Sequence, residues 1–301
     1  MSTFTIMVDS SCDLPPECIQ EQGIEVMPMP FYLDGIAHDQ GNWQEITDKE
    51  YYEALRKGSI AKTSQISPGS FVAVFTEYAK QNKGLILITL GSGLSATYQS
   101  AEMVLREIKA SYPDCNIHLI DSLNATAGHG LLAMLAVQKR AEGMSVGDVA
   151  AWLENKKHSC FSFFTVDDLM YLHRGGRLSK LSAVAGSVLG VKPVLNIAPD
   201  GTLKLKDKVR GRQVALKTLI SQFQRSLNPG TVPSTALISH SDCLDDAQVL
   251  AEMVKTLGVR NISIMMMGPV IGAHVGPGAI TLIFEADMTR EEYDIKFYGK
   301  T

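Results

Sequence analysis

The chain has 301 residues, of which 45% are hydrophobic and 20% are charged, values typical of a globular protein rather than a disordered one. Its 28 basic and 32 acidic side chains give a net charge of −4, which argues against a nucleic-acid-binding protein. The five cysteines are odd in number and contain no C-x-x-C pair, which argues against a disulfide framework and a zinc site. The sequence contains neither an apolar membrane span nor a signal peptide, so we expect a cytoplasmic protein without stable membrane insertion.

Short apolar runs alternate with longer amphipathic stretches, a pattern that predicts an α/β protein. In the first half we predict strands at 3–8, 24–33, 85–90 and 116–120. Helices are predicted at 14–22, 47–57, 95–110, 125–141 and 145–158, and one more begins at Ser67 and Pro68. The start of the helix at 47–57 is the clearest signal, because Thr47 and Glu50 have the spacing of a capping box.

The second half continues the α/β pattern in a different order. We predict strands at 161–166, 194–197, 202–206, 235–239, 262–267 and 279–285. Helices are predicted at 167–172, 179–189, 213–227 and 244–257. The helical stretch that ends near residue 158 marks the boundary between the halves. We therefore expect an N-terminal α/β domain at 1–159 and a C-terminal α/β domain at 160–301.

A run of hydroxyl and amide side chains, which includes Thr63 and Ser64, directly precedes the helix that begins at Ser67. Helix N-termini expose N–H groups and carry a partial positive charge, so such a segment can bind an anion. The alternative is that Ser67 only caps the helix and that the residues before it form a solvated loop.

A glycine- and serine-rich turn at 91–100 follows a predicted strand and leads into a helix. Its segment 91–96 has the G-x-G-x-x-A spacing of a dinucleotide-binding turn, and Asp121 at the end of the next strand is a candidate ribose ligand. The segment 93–97, centred on Ser95, differs from the nucleophile elbow of hydrolases by one residue. A third interpretation is a loop that presents N–H and O–H groups to any carboxylate or phosphate.

Four glycines and two prolines surround His274 in the segment 268–279, between two predicted strands. Glycine permits close approach of the backbone to a ligand, and proline restricts the backbone. This composition favours a ligand-binding loop, with a purely structural histidine as the alternative. No group of histidine, cysteine and carboxylate residues has metal-ligand spacing, so no metal site is expected.

Two basic clusters complete the list of candidates: Arg174 with Arg177, and Lys206 and Lys208 with Arg210 and Arg212. One interpretation is a solvated, charged rim. The other is a docking surface for an anionic partner or for phosphate groups, which arginine binds in a bidentate manner.

Taken in chain order, these segments resemble the DegV family of fatty-acid-binding proteins. The matching motifs are Asp-Ser-x-x-Asp-Leu-Pro at 9–15, Thr-Ser-Gln-x-x-Pro at 63–68, Ser-Gly-Leu-Ser-x-Thr-Tyr at 92–98, Gly-Gly-Arg at 175–177, Arg-x-Arg at 210–212 and His-x-Gly-Pro-Gly at 274–278. Ala96 stands where the family has a glycine. Each motif is short, and the specificity of the match lies in the ordered set, which spans nearly the whole chain.

The resemblance implies two α/β domains of the DegV type, with a long-chain fatty acid held between or within them and no other cofactor. Some similar proteins are the acyl-carrying, non-catalytic subunit of a fatty acid kinase. The kinase phosphorylates the bound carboxylate, and the acyl phosphate enters phospholipid synthesis. By motif, Thr63 and Ser95 would contact the carboxylate, and His274 would lie beside them. Further candidates for the head-group loops are Ser64, Ser92 and Gly93, and the candidates for docking the kinase are Arg174, Arg177, Arg210 and Arg212.

Elementary energetics agree with a lipid ligand. A tail of about 15 methylenes gains ~12 kcal/mol on burial, before the costs of binding, at ~0.8 kcal/mol per methylene. A carboxylate needs hydrogen-bond donors to replace its water. We expect most of the candidate tunnel residues to belong to the core instead. These candidates are Met27, Met29, Phe31, Phe161, Phe163, Phe164, Met265, Met266 and Met267.

Two other classes of function stay open from the sequence. One is an enzyme, either a hydrolase that uses Ser95 and His274 or a nucleotide-dependent α/β enzyme. A hydrolase would need an orienting acid, for which Asp9 and Asp121 are the candidates. The other is a lipid sensor or scaffold that has no kinase partner.

Overall fold

The computed structural model describes residues 4–40, 46–178 and 190–299. Its strands are β1 (Phe4–Asp9), β2 (Ile24–Met27), β3 (Met29–Leu33), β4 (Ile36–Gln40), β5 (Ala61–Thr63), β6 (Gly84–Thr89), β7 (Ile117–Asp121), β8 (Cys160–Thr165), β9 (Val191–Ile197), β10 (Leu203–Arg210), β11 (Thr235–His240), β12 (Asn261–Met266) and β13 (Ile280–Glu285). Its α-helices are α1 (Pro16–Gln22), α2 (Asp48–Arg56), α3 (Pro68–Gln81), α4 (Thr97–Ser111), α5 (Ala127–Ala141), α6 (Val146–Lys156), α7 (Leu169–Arg174), α8 (Arg212–Arg225), α9 (Leu244–Thr256), α10 (Pro269–Val275) and α11 (Arg290–Tyr298). The α/β fold class is confirmed. The helix predicted at 179–189 lies outside the described residues.

The first sheet has the strand order β2-β1-β6-β7, and all of its neighbouring strands are parallel. The central strands are continuous apolar runs because helices cover both faces of the sheet. Strand β2, which follows β1 in the chain, lies on one side of β1, and β6 lies on its other side. Ligands of open α/β sheets bind at such a switch point, beyond the carboxyl ends of the strands. Here the residues that follow Asp9 and Thr89 lie at that edge.

A small antiparallel sheet, with the order β4-β3-β5, sits beside the first. The extended stretch predicted at 24–33 is divided after Met27, so that β2 and β3 belong to different sheets. A turn at Asp34 and Gly35 joins β3 to β4. Residue Thr63, at the end of β5, pairs with Phe31 of β3.

The third sheet is mixed and has the order β10-β9-β8-β13-β11-β12. A turn at 199–201 joins β9 to β10, and β10 extends further than expected, to Arg210. Two predictions near the C-terminus need correction. The segment expected to be a loop at 268–279 contains the helix α10, and the helix α11 was not predicted from the sequence.

Contacts between the halves are extensive. Helix α5, from the first half, packs on β8, β11 and β13. The guanidinium of Arg290 on α11 is buried and donates hydrogen bonds to the backbone carbonyls of Leu123, Lys157, Ile197 and Ala198. All strands of the six-stranded sheet follow residue 159 and all other strands precede it. The domain boundary at 159/160 stays a prediction.

No helix in the described ranges is long and apolar enough to cross a membrane.

Candidate functional site

The site is centred on His274, whose Nε2 atom lies 2.8 Å from the hydroxyl oxygen of Thr63. Helix α10 carries the histidine, and Pro269 occupies its first turn, where a missing backbone N–H costs nothing. The threonine is fixed by the pairing of β5 with β3. Two of the three residues expected at the head group, which are 211 positions apart in the chain, are therefore in direct contact.

Gly175 provides the space for the imidazole ring. A Cβ atom at this glycine would lie 2.3 Å from Nδ1 of His274, far inside van der Waals contact. The Gly-Gly-Arg motif therefore has a packing role, since any larger residue at 175 must displace the ring. In the described part of the chain, Nδ1 of His274 is buried and has no hydrogen-bond partner.

His274 is neutral at pH 7. Burial, and to a smaller extent the positive charge of Arg177, lowers the pKa of its imidazole to about 4. The ring therefore acts as a neutral hydrogen-bonding group, and a bound anion takes its countercharge from elsewhere.

An apolar cavity lies beside His274. Its apolar lining includes Leu90, Leu94, Phe164, Ile197, Leu203 and Met267. Of the tunnel candidates named from the sequence, only Phe164 and Met267 are among the described residues that line it. Phe161 and Phe163 belong to the core between the third sheet and its helices, as expected for most of the set.

A second cavity, the polar cavity, is lined by Lys62, Thr63, Arg174 and Gly175, among others. His274 and Arg177 line both cavities. The two residues therefore mark the boundary between the apolar cavity and the polar cavity. This arrangement suits a molecule with a long apolar body and one anionic end.

Arg177 is held in place at this boundary. Its Nε atom donates to the carbonyl of Leu94 at 2.9 Å, and its guanidinium also donates to the carbonyl of Gly175. The residue was expected on a docking surface, but it is half-buried in the wall of the pocket. Arg177 therefore supplies the positive charge for a bound anion, since His274 is neutral.

The loop that contains Ser95 is closely packed. The Oγ atom of Ser95 lies 2.9 Å from Oγ1 of Thr97, and the serine is 9% exposed. A Cβ atom on Gly93 would lie 2.6 Å from the backbone of Gly201, so this glycine permits contact with the β9–β10 turn. The backbone N–H of Ser92 donates to Asp121 at 3.0 Å. Ser95 is not among the described residues that line either cavity, so its carboxylate contact stays a prediction.

The remaining candidates occupy varied positions. The backbone N–H of Ser64 donates to Pro30, which continues the β3–β5 pairing. Arg174 is exposed, lines the polar cavity and lies over the ring of Tyr171 at 4.6 Å. Arg210 is exposed at the end of β10.

Arg212 is engaged with acidic partners. Its Nε atom donates to Asp246 at 2.8 Å, and its guanidinium lies 3.5 Å from Asp167. These contacts give Arg212 a structural role on α8. Its role in docking stays a prediction.

The geometry disfavours both enzyme interpretations. The carboxylate of Asp9 accepts from Ser11 and Leu90, and that of Asp121 accepts from Ser92 and Leu123. Among the described residues, neither carboxylate bonds to Nδ1 of His274, which has no partner. A catalytic triad needs an acid on the second ring nitrogen of its histidine. A dinucleotide-binding turn needs open space at its second glycine, which the β9–β10 turn fills.

Within residues 4–40, 46–178 and 190–299, no group of three or more potential metal ligands is close enough to hold an ion. The sequence analysis missed the cavity residues Thr126 and Thr281. Thr126 directly precedes a helix, and the sequence alone does not distinguish a threonine that caps a helix from one that lines a pocket.

Comparison with known proteins gives consistent results. A family model described as an uncharacterised protein of the DegV family matches residues 3–287. A DegV domain-containing protein of Clostridium perfringens is 36% identical over 289 residues, which cover 95% of this chain and 99% of that protein.

Solved structures extend the similarity to the fold. A DegV family protein from Thermus thermophilus, described by its fatty acid binding, has a TM-score of 0.83 at 28% identity, with 94% of this chain and 99% of that chain covered. DegV of Bacillus subtilis, described as a fatty acid binding protein, has a TM-score of 0.77 at 28% identity, with 95% and 99% covered.

Proposed function

This chain belongs to the DegV family, and we propose that it binds a long-chain fatty acid and presents the carboxylate to a partner fatty acid kinase. The observation that carries the proposal is the shared boundary of the two cavities at His274 and Arg177. An apolar chamber that meets a polar opening at one cation fits a fatty acid better than it fits a wholly polar metabolite. Fatty acid binding by DegV relatives supports the same conclusion.

The apolar cavity would hold the tail. Its apolar lining offers no competing hydrogen bonds over most of its surface, so affinity would come from removing methylenes from water at ~0.8 kcal/mol each. Only the surplus over the costs of ordering and association appears as affinity. The cavity thus provides the main driving force, and the polar groups provide orientation.

The head group would lie at the boundary of the two cavities. A carboxylate there meets the Thr63 hydroxyl, the neutral imidazole of His274 and the positive charge of Arg177. Charge-assisted hydrogen bonds from such groups replace the water that the carboxylate loses. Ser95 is the fourth candidate for this set.

The polar cavity supports the proposal that the chain presents the carboxylate to a kinase. Phosphoryl transfer needs positioning and charge stabilisation more than covalent help from the protein. A carboxylate at the boundary faces the polar cavity, where Lys62 and Arg174 add positive charge. The chain would act as a non-catalytic carrier in the cytoplasm, and the resulting acyl phosphate would feed phospholipid synthesis.

The test is organic extraction of the purified protein followed by mass spectrometry, together with titration using fluorescent fatty acid analogues. We expect a bound acid of about 14–18 carbons, an estimate for a chain that must fit inside a two-domain core. Protein that is empty and also fails to bind the analogues contradicts the proposal. A lipid sensor without a kinase partner would bind the acid but would not support acyl phosphate formation when kinase and ATP are added.

A further inference from the structure

The turn that follows β1 carries the Asp-Ser-x-x-Asp motif, and the side chains of Asp9, Ser10 and Asp13 are buried there. Buried polar groups in folded proteins are normally hydrogen-bonded, so their partners show what this turn holds in place. Each of the three side chains accepts a hydrogen bond from the backbone N–H of a different segment of the chain. These segments carry or align the three residues expected at the head group.

Ser10 fixes the strand that aligns Thr63. The backbone N–H of Met29 donates to Oγ of Ser10 at 2.9 Å, where the chain passes from β2 into β3 and the pairing of β2 with β1 has ended. Because buried N–H groups rarely stay unpaired, this hydroxyl holds the start of β3 against the end of β1. Phe31 of the same strand pairs with Thr63.

Asp13 fixes the start of the helix that carries His274. The backbone N–H of Gly268, directly before α10, donates to Oδ1 of Asp13 at 2.9 Å. The helix is short and His274 lies in its last turn, so a displacement at Gly268 is passed on to the imidazole. Asp13 has a φ of 50°, a left-handed conformation that aspartate and asparagine adopt more readily than most residues.

Asp9 makes the corresponding contact with the third segment. The backbone N–H of Leu90 donates to Oδ2 of Asp9 at 2.6 Å. Leu90 lines the apolar cavity and directly precedes the glycine- and serine-rich turn that contains Ser95. One buried turn therefore contacts all three segments of the head-group region.

We infer that Ser10 and Asp13 are positioning residues for the ligand carboxylate: by holding β3 and α10 on one turn, they set the distance between the Thr63 hydroxyl and the His274 imidazole. The inference rests on the proposed function, since it names the residues that build the head-group region of that same site. Hydrogen bonds weaken steeply away from their preferred geometry, and binding groups need placement within ~0.5 Å. A shift of either segment would therefore weaken the grip on the carboxylate.

The test compares octadecanoic acid with octadecanol, which has the same tail and an uncharged head group. Dissociation constants are measured by displacement of a fluorescent fatty acid analogue. Asp13→Gly deletes the carboxylate and still permits the left-handed backbone. We expect it to weaken binding of the acid by about five- to tenfold and of the alcohol by less than about twofold, because the lining of the tail cavity is unchanged. Ser10→Ala, which removes a single oxygen atom, should act in the same direction.

A rescue variant and double-mutant cycles distinguish positioning from general stability. Asp13→Asn keeps an acceptor oxygen and the backbone preference, and it should retain acid affinity within about twofold. When His274→Gln is already present, Asp13→Gly should weaken acid binding by less than about twofold, because the group that Asp13 positions is gone. The same holds for Ser10→Ala when Thr63→Val is already present.

Ser226→Ala is the matched control for folding. It removes a buried hydroxyl that donates to the carbonyl of Gln222 at the end of α8, outside the described lining of both cavities. It should lower the urea midpoint of unfolding and leave both affinities unchanged.

Equal weakening of acid and alcohol in Asp13→Gly and Ser10→Ala, unchanged acid affinity in both, or full additivity in the cycles overturns the inference and leaves fatty acid binding intact. Loss of acid binding in Asp13→Asn equal to that in Asp13→Gly overturns it as well. If Asp13→Gly does not fold, Ser10→Ala decides by the same criteria. Failure of the wild type to bind the acid would instead overturn the proposed function.

Discussion

The hydroxyl of Thr63 and the Nε2 atom of His274 are 2.8 Å apart although they come from opposite halves of the chain. Strand β5 supplies the first and helix α10 the second. The head-group region therefore exists only when both halves are folded and docked. Its integrity can be measured through ligand binding, stability or both.

Deleting the Thr63 hydroxyl should weaken fatty acid binding. Thr63→Val keeps the side-chain shape but leaves a charged partner short of one hydrogen bond, a loss of about 1–3 kcal/mol in binding free energy. Titration with fatty acids and fatty alcohols measures it, and the uncharged alcohols should be affected less. Thr218→Val, at a half-buried threonine on α8, is the matched control. Unchanged fatty acid affinity in Thr63→Val would move the carboxylate site elsewhere.

Adding one methyl group at Gly175 should disrupt the site. The new Cβ of Gly175→Ala would lie 2.3 Å from Nδ1 of His274 and must push the ring away from Thr63. Affinity for fatty acids should fall by at least tenfold. Gly147→Ala is the control, because its Cβ meets nothing within 4 Å and alanine stabilises a helix by about 0.5–1 kcal/mol over glycine. Equal affinities in the two variants would show that the imidazole position does not matter.

The buried neutral imidazole predicts a pH dependence of stability. The pKa of His274 is about 4 in the folded protein against 6.5 ordinarily, so between these values the unfolded chain binds more protons. The free energy of unfolding is therefore highest above pH 6.5. It falls by about 3 kcal/mol in total as the pH falls toward 4. Urea unfolding of the wild type and His274→Gln across this range measures it. Parallel pH profiles for the two proteins would contradict the assignment.

Charge reversal at Arg174 and at Arg177 should distinguish docking of the kinase from binding of the fatty acid. Arg174→Glu should slow acyl phosphate formation in the presence of the kinase and change fatty acid affinity less than twofold, because Arg174 is exposed in the polar cavity. Arg177→Glu should weaken fatty acid binding by tenfold or more, because it places a negative charge at the boundary of both cavities. Calorimetric titration and the coupled assay give the two readouts. The reverse pattern would exchange the roles of the two arginines.

The second basic cluster should behave differently. Arg212→Glu should lower the free energy of unfolding by about 1–3 kcal/mol, because it sets a new carboxylate against Asp246 and Asp167. Arg210→Glu, at an exposed position, should change stability by less than about 0.5 kcal/mol. Denaturant midpoints compare the two variants. A stable Arg212→Glu variant that slows the kinase reaction would favour docking at this residue.

Local sequence signals predicted the fold well where they were strong. The caps at Thr47 and Ser67 begin helices as expected, and apolar runs give the strands of the first sheet. The signals failed where tertiary packing overrides composition. Glycine content suggested a loop around His274, but Pro269 and close packing of small residues produce the helix α10.

The site was only partly predictable for a related reason. The ordered motifs identified Thr63 and His274, and the structure brings them together. No sequence pattern shows that Arg177 turns into the pocket wall, since its direction depends on carbonyls of Leu94 and Gly175.

Arg290 imposes an order on the assembly of the protein during synthesis. Its guanidinium is the shared donor for carbonyls at residues 123, 157, 197 and 198, which belong to both halves. Until residue 290 leaves the ribosome, these carbonyls must stay hydrated, because burying them unpaired is costly. The nascent chain can pair the strands of its first sheet early, but it can close the junction between its halves only after α11 has been made.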